Sequence, residues 1–345
     1  MYLSNGVSLA PDEMVRTLGN TPLQPIRVVI HERPRTIHLK LEGYNPTGSV
    51  KDRTAWGLLQ ALEKEGRLQK GSCLIESTSG NMGVSLAFLS QQRGNDFIAV
   101  VDPKTTNENI ARMQAFGAQI ELVTEPDRYG GYLLSRLERV RELCQQSPRY
   151  IWSNQYGNPA NPAIHKETTG PEIYRQMHGQ VHAVFVAVST GGTLAGISEY
   201  LRKVSPATRV IAVDAHGSVI FNTQPAPRKL TGIGASQPSK FLRQEHYDEY
   251  TLVTDTQAFT FCRVLAEHLD IHVGGSSGAV LSACVDYLAR HPSIEHVVCL
   301  CPDDGKHYEA SIFNDSWLQA NQLAITSDAL GPVESLERVL LVSAA

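Results

Sequence analysis

The chain has 345 residues, of which 42% are hydrophobic and 19% are charged, and its formal net charge is −4. This length predicts about two domains or one large one, and the composition is that of a globular protein. The acidic balance excludes a nucleic-acid binder that acts through bulk positive charge, although it leaves a local basic patch open. No apolar run approaches the roughly 18 residues of a membrane span, and the N-terminus lacks the basic start and apolar core of a signal peptide.

Short strand-like runs alternate with helical patterns along the chain. Several of the strand-like runs are continuously apolar, which is typical of strands covered on both faces of a parallel sheet. The strands are predicted at residues 98–102, 119–123, 183–189, 209–215 and 296–301, and the helices at residues 133–145, 256–269 and 279–290. The alternation indicates an α/β fold, and its periodicity fits a barrel and an open doubly wound sheet equally well. After about Leu323 the pattern is irregular, which is typical of a mobile tail.

Six cysteines in a chain of this length do not indicate a disulfide framework. Cys299 and Cys301 lie in the run HVVCLC, which predicts a buried strand, and no second pair follows at metal-ligand spacing. We interpret these cysteines as small buried hydrophobic residues and expect no metal site. We also expect a cytoplasmic protein.

A loop rich in glycine and hydroxyl groups follows the predicted strand at 183–189 and precedes a helical pattern. Backbone N–H groups converge at such a helix start, where the helix dipole favours an anion and glycine allows close approach. The loop lacks both the G-x-G-x-x-G pattern and the lysine of a Walker A motif, so it predicts a site for a single phosphate. A tight turn that binds nothing explains the same residues equally well. The loop comprises Ser189, Thr190, Gly191, Gly192 and Thr193.

Two further loops have a similar make-up. Residues 77–83, STSGNMG, concentrate hydroxyl groups, an amide and helix-start N–H groups, which can hold a carboxylate. An N-terminal helix cap is the alternative, but a cap needs one hydroxyl and this loop offers several. Residues 274–278, GGSSG, also precede a helix, and a serine there serves a ligand or the helix equally well.

Lys51 lies in the segment NPTGSVKDR, a turn that leads into a helix. The positive end of a helix dipole disfavours a protonated amine, and Schiff-base chemistry requires a neutral one. A solvated surface lysine is the alternative. A phosphate loop, an amine and a carboxylate site together fit a protein that binds pyridoxal phosphate.

The four motifs NPTGSVKDR, STSGNMG, STGGT and GGSSG occur in this order. They resemble the cysteine synthase and cystathionine β-synthase family of pyridoxal-phosphate enzymes, fold type II, from about residue 17 to about residue 317. The resemblance implies two α/β domains with the cofactor in the cleft between them. It places residues 1–50 and 158–325 in a larger domain, residues 51–157 in a smaller domain that closes on substrate, and residues 326–345 in a tail. A homodimer is expected, because homodimers are usual in this family.

The resemblance also implies the role of each site residue. Lys51 matches the catalytic lysine that holds the cofactor covalently and moves the Cα proton, and Asn81 matches the asparagine beside the cofactor 3′-oxygen. Residues 189–193 match the phosphate loop, and Ser276 matches the serine that bonds the pyridine nitrogen. The positions that hold the substrate α-carboxylate are matched by Thr78, Ser79, Asn81 and Gln155.

The chain departs from ordinary cysteine synthases at three positions. Those enzymes typically have Thr at the position of Met82, Phe at the position of Tyr156 and Gly at the position of Ser189. Tyr156 and Ser189 each add a hydroxyl group, so we expect both to contact substrate. Extra donors suit a polar second substrate better than sulfide.

Other segments are similar to one branch of the family, which joins O-phospho-L-serine to L-glutamate to give N-(2-amino-2-carboxyethyl)-L-glutamate, a precursor of 2,3-diaminopropionate in siderophores and some antibiotics. They are VVDPK, EPDRYGGYL, VDAHGSVIF, GIGAS and CPDDGKHYEASIFNDSW. The resemblance therefore implies a β-replacement on small amino-acid substrates, with no nucleic-acid or membrane partner. Cysteine synthesis from O-acetylserine or O-phosphoserine and sulfide is the nearest alternative, followed by a dehydratase and a non-catalytic binding protein. The sequence does not single out the cationic residues that bind the substrate phosphate and the glutamate carboxylates. The residues available are Arg53, Arg128, Lys166, Lys229 and Lys306.

Overall fold

The structure is a computed structural model that describes residues 17–127 and 131–338. The strands, numbered in chain order, are β1 Leu23–Ile30, β2 Arg33–Leu41, β3 Cys73–Ser77, β4 Asp96–Val101, β5 Gln119–Leu122, β6 Tyr150–Trp152, β7 Ala183–Ala187, β8 Arg209–Ala215, β9 Glu249–Val253, β10 Val297–Cys301 and β11 Val333–Arg338. The helices are α1 Lys51–Lys64, α2 Asn81–Arg93, α3 Asn107–Ala115, α4 Leu133–Gln146, α5 Ala160–Glu167, α6 Thr169–Gln176, α7 Gly192–Val204, α8 Asp255–Leu269, α9 Gly275–Arg290 and α10 Asp315–Ala320.

The described chain divides into two compact units, each with its own sheet. The first unit takes residues 17–20, 45–127 and 131–160, and the second takes residues 21–44 and 161–338. The first unit therefore includes residues 45–50, which the sequence analysis assigned to the other domain. The reason is local, because Thr47 is hydrogen bonded to Asp52 and to Arg112 within the first unit.

The first unit is a parallel sheet in the order β5-β4-β3-β6. Its central strand β3 is buried along its whole length, as the continuously apolar sequence requires. One face packs Leu74 against Phe88 and Met113, and the other packs Ile75 against Val140. The parallel register places the carboxyl ends of β3, β4 and β6 at one edge of this sheet.

The second unit is a mixed sheet in the order β11-β1-β2-β10-β7-β8-β9. Strands β11, β1 and β2 are antiparallel, and the strands from β2 through β10 to β9 are parallel. Neighbouring residues of β7 point to opposite faces, so Phe185 packs toward Phe259 and Leu281 whereas Val184 packs toward Ile197. Both faces are thus covered by helices.

All five predicted strands are present, with bounds within two residues of those predicted. The sheets are open, so the structure decides between the two architectures that the periodicity left open. Two expectations were wrong. Helix α9 begins at Gly275 instead of residue 279, because the GGSSG turn itself starts the helix. Residues 333–338 are not an irregular tail but strand β11, which pairs with β1 and packs Val333 and Leu336 against the core. Among the described residues, no helix combines the length and apolar character needed to cross a membrane.

Candidate active site

Lys51 is the first residue of helix α1 and is half-buried. The turn before it has Gly48 at φ 88°, in the left-handed region that favours glycine. Thr47 closes the turn by donating from its backbone N and its Oγ1 to the carboxylate of Asp52, at 2.7 and 2.5 Å. Burial raises the pKa of Asp52, while hydrogen bonds from Ser85 and Thr47 and the charge of Arg112 act in the opposite direction. The turn that leads to the lysine is therefore closed by a buried, hydrogen-bonded carboxyl group.

The loop after β3 carries the residues predicted to hold a carboxylate. Thr78 is buried, Ser79 is exposed, and Asn81 is the first residue of helix α2. Gly80 is the N-cap and no side chain caps this helix, so the loop's hydroxyl groups are not explained by capping. Arg112 donates to the backbone oxygen of Thr47 at 2.7 Å and to Asn81 Oδ1 at 3.5 Å. This contact links the lysine turn to the asparagine.

Gln155 lies just after strand β6 and is buried. Its Nε2 donates to the backbone oxygen of Ser77 at 3.0 Å, and its backbone N donates to Glu76 Oε2 at 2.9 Å. The structure thus brings Gln155 beside the loop that begins at Ser77, although the two are nearly eighty residues apart in the chain. Within the first unit, four predicted residues, Thr78, Ser79, Asn81 and Gln155, lie on or beside one loop.

Arg136, on helix α4, is a candidate that sequence reasoning missed. Its side chain is 8% exposed and its Nε lies 3.3 Å from Asp102 Oδ2. Its Nη1 is buried and finds no hydrogen-bond acceptor among the described residues. A buried guanidinium needs partners for its N–H groups, so this one is poised to bind an anion. Its signal in the sequence was weak, because α4 carries many charged residues on its solvent face.

The charge of Arg136 also acts on Tyr156. Burial raises the pKa of the Tyr156 phenol, Arg136 lowers it, and the negative charges of Glu76 and Asp102 raise it again. The phenol therefore stays protonated near neutral pH and can donate a hydrogen bond. Tyr156 and Arg136 together form a donor pair, one neutral and one cationic.

The five cationic residues named in the sequence analysis do not share the position of Arg136. Arg53 is buried in the first unit, and Lys166 forms a surface ion pair with Glu199. Lys229 and Lys306 are exposed, and Arg128 lies outside the described residues. Arg136 has the burial and the unpartnered donor that a selective anion site requires.

In the second unit, the predicted phosphate loop joins β7 to helix α7. Gly191 is the N-cap at φ 88°, and no side chain caps the helix. The first N–H groups of a helix have no intrahelical acceptor, so they are directed at an anion. A Cβ at Gly192 would overlap the side chain of Asn161, which is why glycine is required there.

Side chains behind this loop hold it in place. Asn161 Nδ2 donates to Thr190 Oγ1 at 3.2 Å, and Ser239 Oγ donates to the backbone oxygen of Thr190 at 2.6 Å. Buried His165 lies 3.3 Å from Thr193 Oγ1 through Nε2 and 2.9 Å from Thr169 Oγ1 through Nδ1. Hydrogen bonds from side chains of the second unit thus hold the loop in place. Ser189 is half-buried at its start.

Ser276 is the second residue of helix α9 and is buried. Gly274 is the N-cap, and its backbone N donates to the backbone oxygen of Asp303 at 3.3 Å. A Cβ at Gly275 would contact Leu230 and Phe259. The third glycine-rich turn is therefore a second helix start with a buried serine hydroxyl.

The first unit thus has a lysine at a helix start, and the second unit has an anion cradle and a buried serine at two other helix starts, as the sequence analysis expected of an enzyme that binds a phosphate-bearing cofactor. The family model described as pyridoxal-phosphate dependent enzyme matches residues 15–303. The chain belongs to this family, whose cofactor is pyridoxal 5′-phosphate, and the predicted family and cofactor are confirmed.

Two curated relatives carry the name N-(2-amino-2-carboxyethyl)-L-glutamate synthase. The protein of Ralstonia nicotianae is 41% identical over 95% of this chain and 98% of its own length. The protein of Cupriavidus metallidurans is 39% identical over 89% of this chain and 91% of its own.

Solved structures share the fold. A hydrogen sulfide-producing enzyme from Fusobacterium nucleatum has a TM-score of 0.81 at 30% identity, covering 88% of this chain and 99% of its own. Cysteine synthase from Entamoeba histolytica has a TM-score of 0.79 at 30% identity, covering 89% of this chain and 92% of its own. The expected fold class, a cysteine synthase-like α/β enzyme of fold type II, is confirmed.

Proposed function

We propose that this enzyme joins O-phospho-L-serine to L-glutamate, giving N-(2-amino-2-carboxyethyl)-L-glutamate and phosphate. The names of the two curated relatives support the product. The structural observation that carries the choice of donor is Arg136, a buried guanidinium with an unpartnered N–H near Tyr156. A phosphate ester offers that guanidinium a charge-assisted partner, whereas the acetyl ester of O-acetylserine is neutral.

The residues present fit pyridoxal phosphate. Residues 189–193 would hold its phosphate, Ser276 its pyridine nitrogen and Asn81 its 3′-oxygen, while Lys51 would bind it covalently. When bound, the cofactor draws electrons from the Cα of an amino acid attached to it. A neutral hydroxyl from Ser276 makes it a weaker electron sink than a carboxylate would, which suits β-replacement better than transamination.

The chain's own residues then have distinct tasks. Thr78, Ser79, Asn81 and Gln155 hold the α-carboxylate of O-phospho-L-serine. Arg136 holds its phosphate by hydrogen bonds, whereas Tyr156 and Ser189 are each proposed to contact substrate through their hydroxyl groups. The Lys51 amine, freed when the substrate amine takes its place, removes the proton from Cα, the Cβ–O bond breaks, and inorganic phosphate leaves. The amine of L-glutamate then forms a bond to Cβ and loses a proton, and Lys51 returns a proton to Cα.

Several finer features belong to the same proposal. We infer a homodimer, a smaller domain, predicted at residues 51–157 and contained in the first unit, that closes on substrate, and a product that serves 2,3-diaminopropionate for siderophore synthesis. A closing domain would exclude water while the bond to glutamate forms. Light scattering of the purified protein tests the dimer.

A competition assay tests the reaction. The enzyme is incubated with O-phospho-L-serine and equal amounts of L-glutamate and sulfide, and the products are identified by mass spectrometry. A glutamate adduct is the expected main product. Cysteine as the main product would favour the second candidate, cysteine synthase, which the fold of the Entamoeba histolytica structure supports.

The donor is tested by exchanging O-phospho-L-serine for O-acetyl-L-serine. Arg136→Gln should raise the KM for O-phospho-L-serine by about 10- to 100-fold, because a hydrogen bond to a charged group contributes about 1.5–3 kcal/mol. The KM for O-acetyl-L-serine should change little. Arg139→Gln is the matched control, since Arg139 is on the same helix but pairs with Glu121 and Glu142 at the surface. An equal effect on both donors would contradict the role of Arg136.

A further inference from the structure

We propose that Glu76 is a positioning residue, whose buried carboxylate fixes the segment 152–155 against the end of β3 and thereby sets Gln155 for binding the substrate α-carboxylate. This inference rests on the proposed function only through the role of Gln155. Glu76 accepts hydrogen bonds at both of its carboxylate oxygens, from backbone and side-chain donors on both sides of the gap between β3 and the segment 152–155.

The Glu76 side chain is fully buried and accepts four hydrogen bonds; burial raises its pKa, and these four hydrogen bonds act in the opposite direction by favouring the carboxylate. Its Oε1 accepts from the backbone N of Ser77 at 2.9 Å and from Trp152 Nε1 at 3.2 Å. Its Oε2 accepts from Ser153 Oγ at 2.7 Å and from the backbone N of Gln155 at 2.9 Å. One oxygen thus bonds the start of the carboxylate loop, and the other bonds the backbone of Gln155 itself.

The pairing and packing of strand β3 do not require a carboxylate at position 76. Glu76 lies in CLIES, whose other residues are apolar or small, and an apolar residue at a buried position avoids the cost of desolvating a charge. Sheet pairing between β3 and β6 extends to Ile75 and Trp152, with one more backbone bond from Ser153 N to Ile75 O. Glu76 therefore holds the segment 152–155 at the point where the backbone pairing between β3 and β6 ends.

An amide cannot replace this carboxylate. A carboxylate only accepts, whereas a glutamine side chain presents one acceptor oxygen and one donor NH₂ group. The backbone N–H groups of Ser77 and Gln155 bond different oxygens of Glu76, so in a Glu76→Gln variant one of them must face the NH₂ group. Ser153 can rotate its hydroxyl to accept, but a backbone N–H cannot. The substitution keeps the size of the side chain and removes its ability to hold both segments.

The test uses the cofactor-loaded enzyme and two ligands that differ in the α-carboxylate. O-phospho-L-serine is the proposed substrate, and O-phosphoethanolamine, which lacks the carboxylate, is the competing ligand whose inhibition constant is measured. Glu76→Gln should raise the KM for O-phospho-L-serine by about 10- to 100-fold, the effect of losing hydrogen bonds to a charged group. The inhibition constant of O-phosphoethanolamine, the kcat and the visible spectrum of the bound cofactor should stay within about twofold.

Two further variants provide a control and a second test of the same hydrogen bonds. Glu142→Gln makes the same chemical change at a surface glutamate of the same unit and should alter neither constant. Ser153→Ala removes the 2.7 Å bond to Oε2 without burying a new donor, so it should raise the KM in the same selective way if Glu76→Gln does not fold. Equal loss for both ligands, or no loss for either, would overturn the positioning role.

The same design separates this inference from the proposed function. If the wild type turned over O-acetyl-L-serine but not O-phospho-L-serine, the proposed donor would be wrong. Glu76 would still be tested, with O-acetyl-L-serine as substrate and O-acetylethanolamine as the ligand without a carboxylate.

Discussion

Asp214, near the end of β8, offers a quantitative test of the electrostatics of the second unit. It is fully buried, and burial raises its pKa from the ordinary value of 3.8 to about 6, against hydrogen bonds from Ser218 and Ala215 and the charge of Arg228. A carboxyl group with a raised pKa stabilises the folded state most at low pH, where it is protonated in both states. That contribution is lost as the pH rises from the unfolded pKa to the folded one.

The magnitude follows from the two pKa values. Each pH unit between 3.8 and about 6 lowers the free energy of unfolding by about 1.4 kcal/mol, so the full loss is about 3 kcal/mol. About 2 kcal/mol of it falls between pH 4.5 and pH 7.5 by the same relation. An Asp214→Asn variant has no such titration. The difference in unfolding free energy, variant minus wild type, should therefore rise by about 2 kcal/mol across this pH range.

Urea unfolding of both proteins at several pH values measures this difference. Asp270→Asn is the control for the substitution itself, because Asp270 is exposed at the left-handed C-cap of α8, where asparagine is well tolerated. A flat curve for Asp214→Asn, or a fall with rising pH, would refute the assignment of a raised pKa to this carboxyl group.

Three other outcomes are expected. Lys51→Ala should abolish the visible absorbance of the covalently bound cofactor and lower turnover by about 10²- to 10⁴-fold, and full turnover would contradict the role of Lys51. Burial raises the pKa of the Cys144, Cys262 and Cys301 thiols, but Cys144 is only half-buried, so it should react with a thiol reagent before the other two; mass spectrometry of the labelled peptides gives the order. A chain that ends at Pro332 lacks β11 and leaves the edge of β1 unpaired, so it should unfold at lower temperature than one that ends at Arg338.

The parts of the fold that could be predicted are those whose signal is local. Strands such as β7 and β8 are apolar along their length because they are covered on both faces, and this pattern needs no partner to be recognised. Strand β11 could not be predicted, because VESLER is short and half-buried, and its partner β1 lies about three hundred residues earlier. The turns around Lys51, Asn81, Gly191 and Ser276 were predicted as helix starts because glycine and hydroxyl residues cluster there.

The local sequence does not predict the roles of the charged residues behind the site. Arg136 stands among the solvated charges of LLSRLERVRELCQQ, and only the packing of α4 near Asp102 makes it a buried cation. Glu76 stands in an apolar strand, and the residues that donate to it are, apart from Ser77, about eighty positions away. Their roles depend on contacts that form only when the sheet is assembled.

These buried charges share one location in the first unit. Glu76 lies near the carboxyl end of β3, Asp102 directly follows β4, and Ser153 and Gln155 follow β6. Because the strands are parallel, these positions meet at the edge of the sheet where open α/β proteins bind ligands. Burying a charge away from that edge would lower stability without serving a ligand. At the edge, Glu76 orders the backbone of Gln155, and Asp102 offsets the charge of Arg136 while leaving its Nη1 for an anion. The cost of desolvating these groups thus falls where it fixes the donors that the proposed function assigns to the substrate.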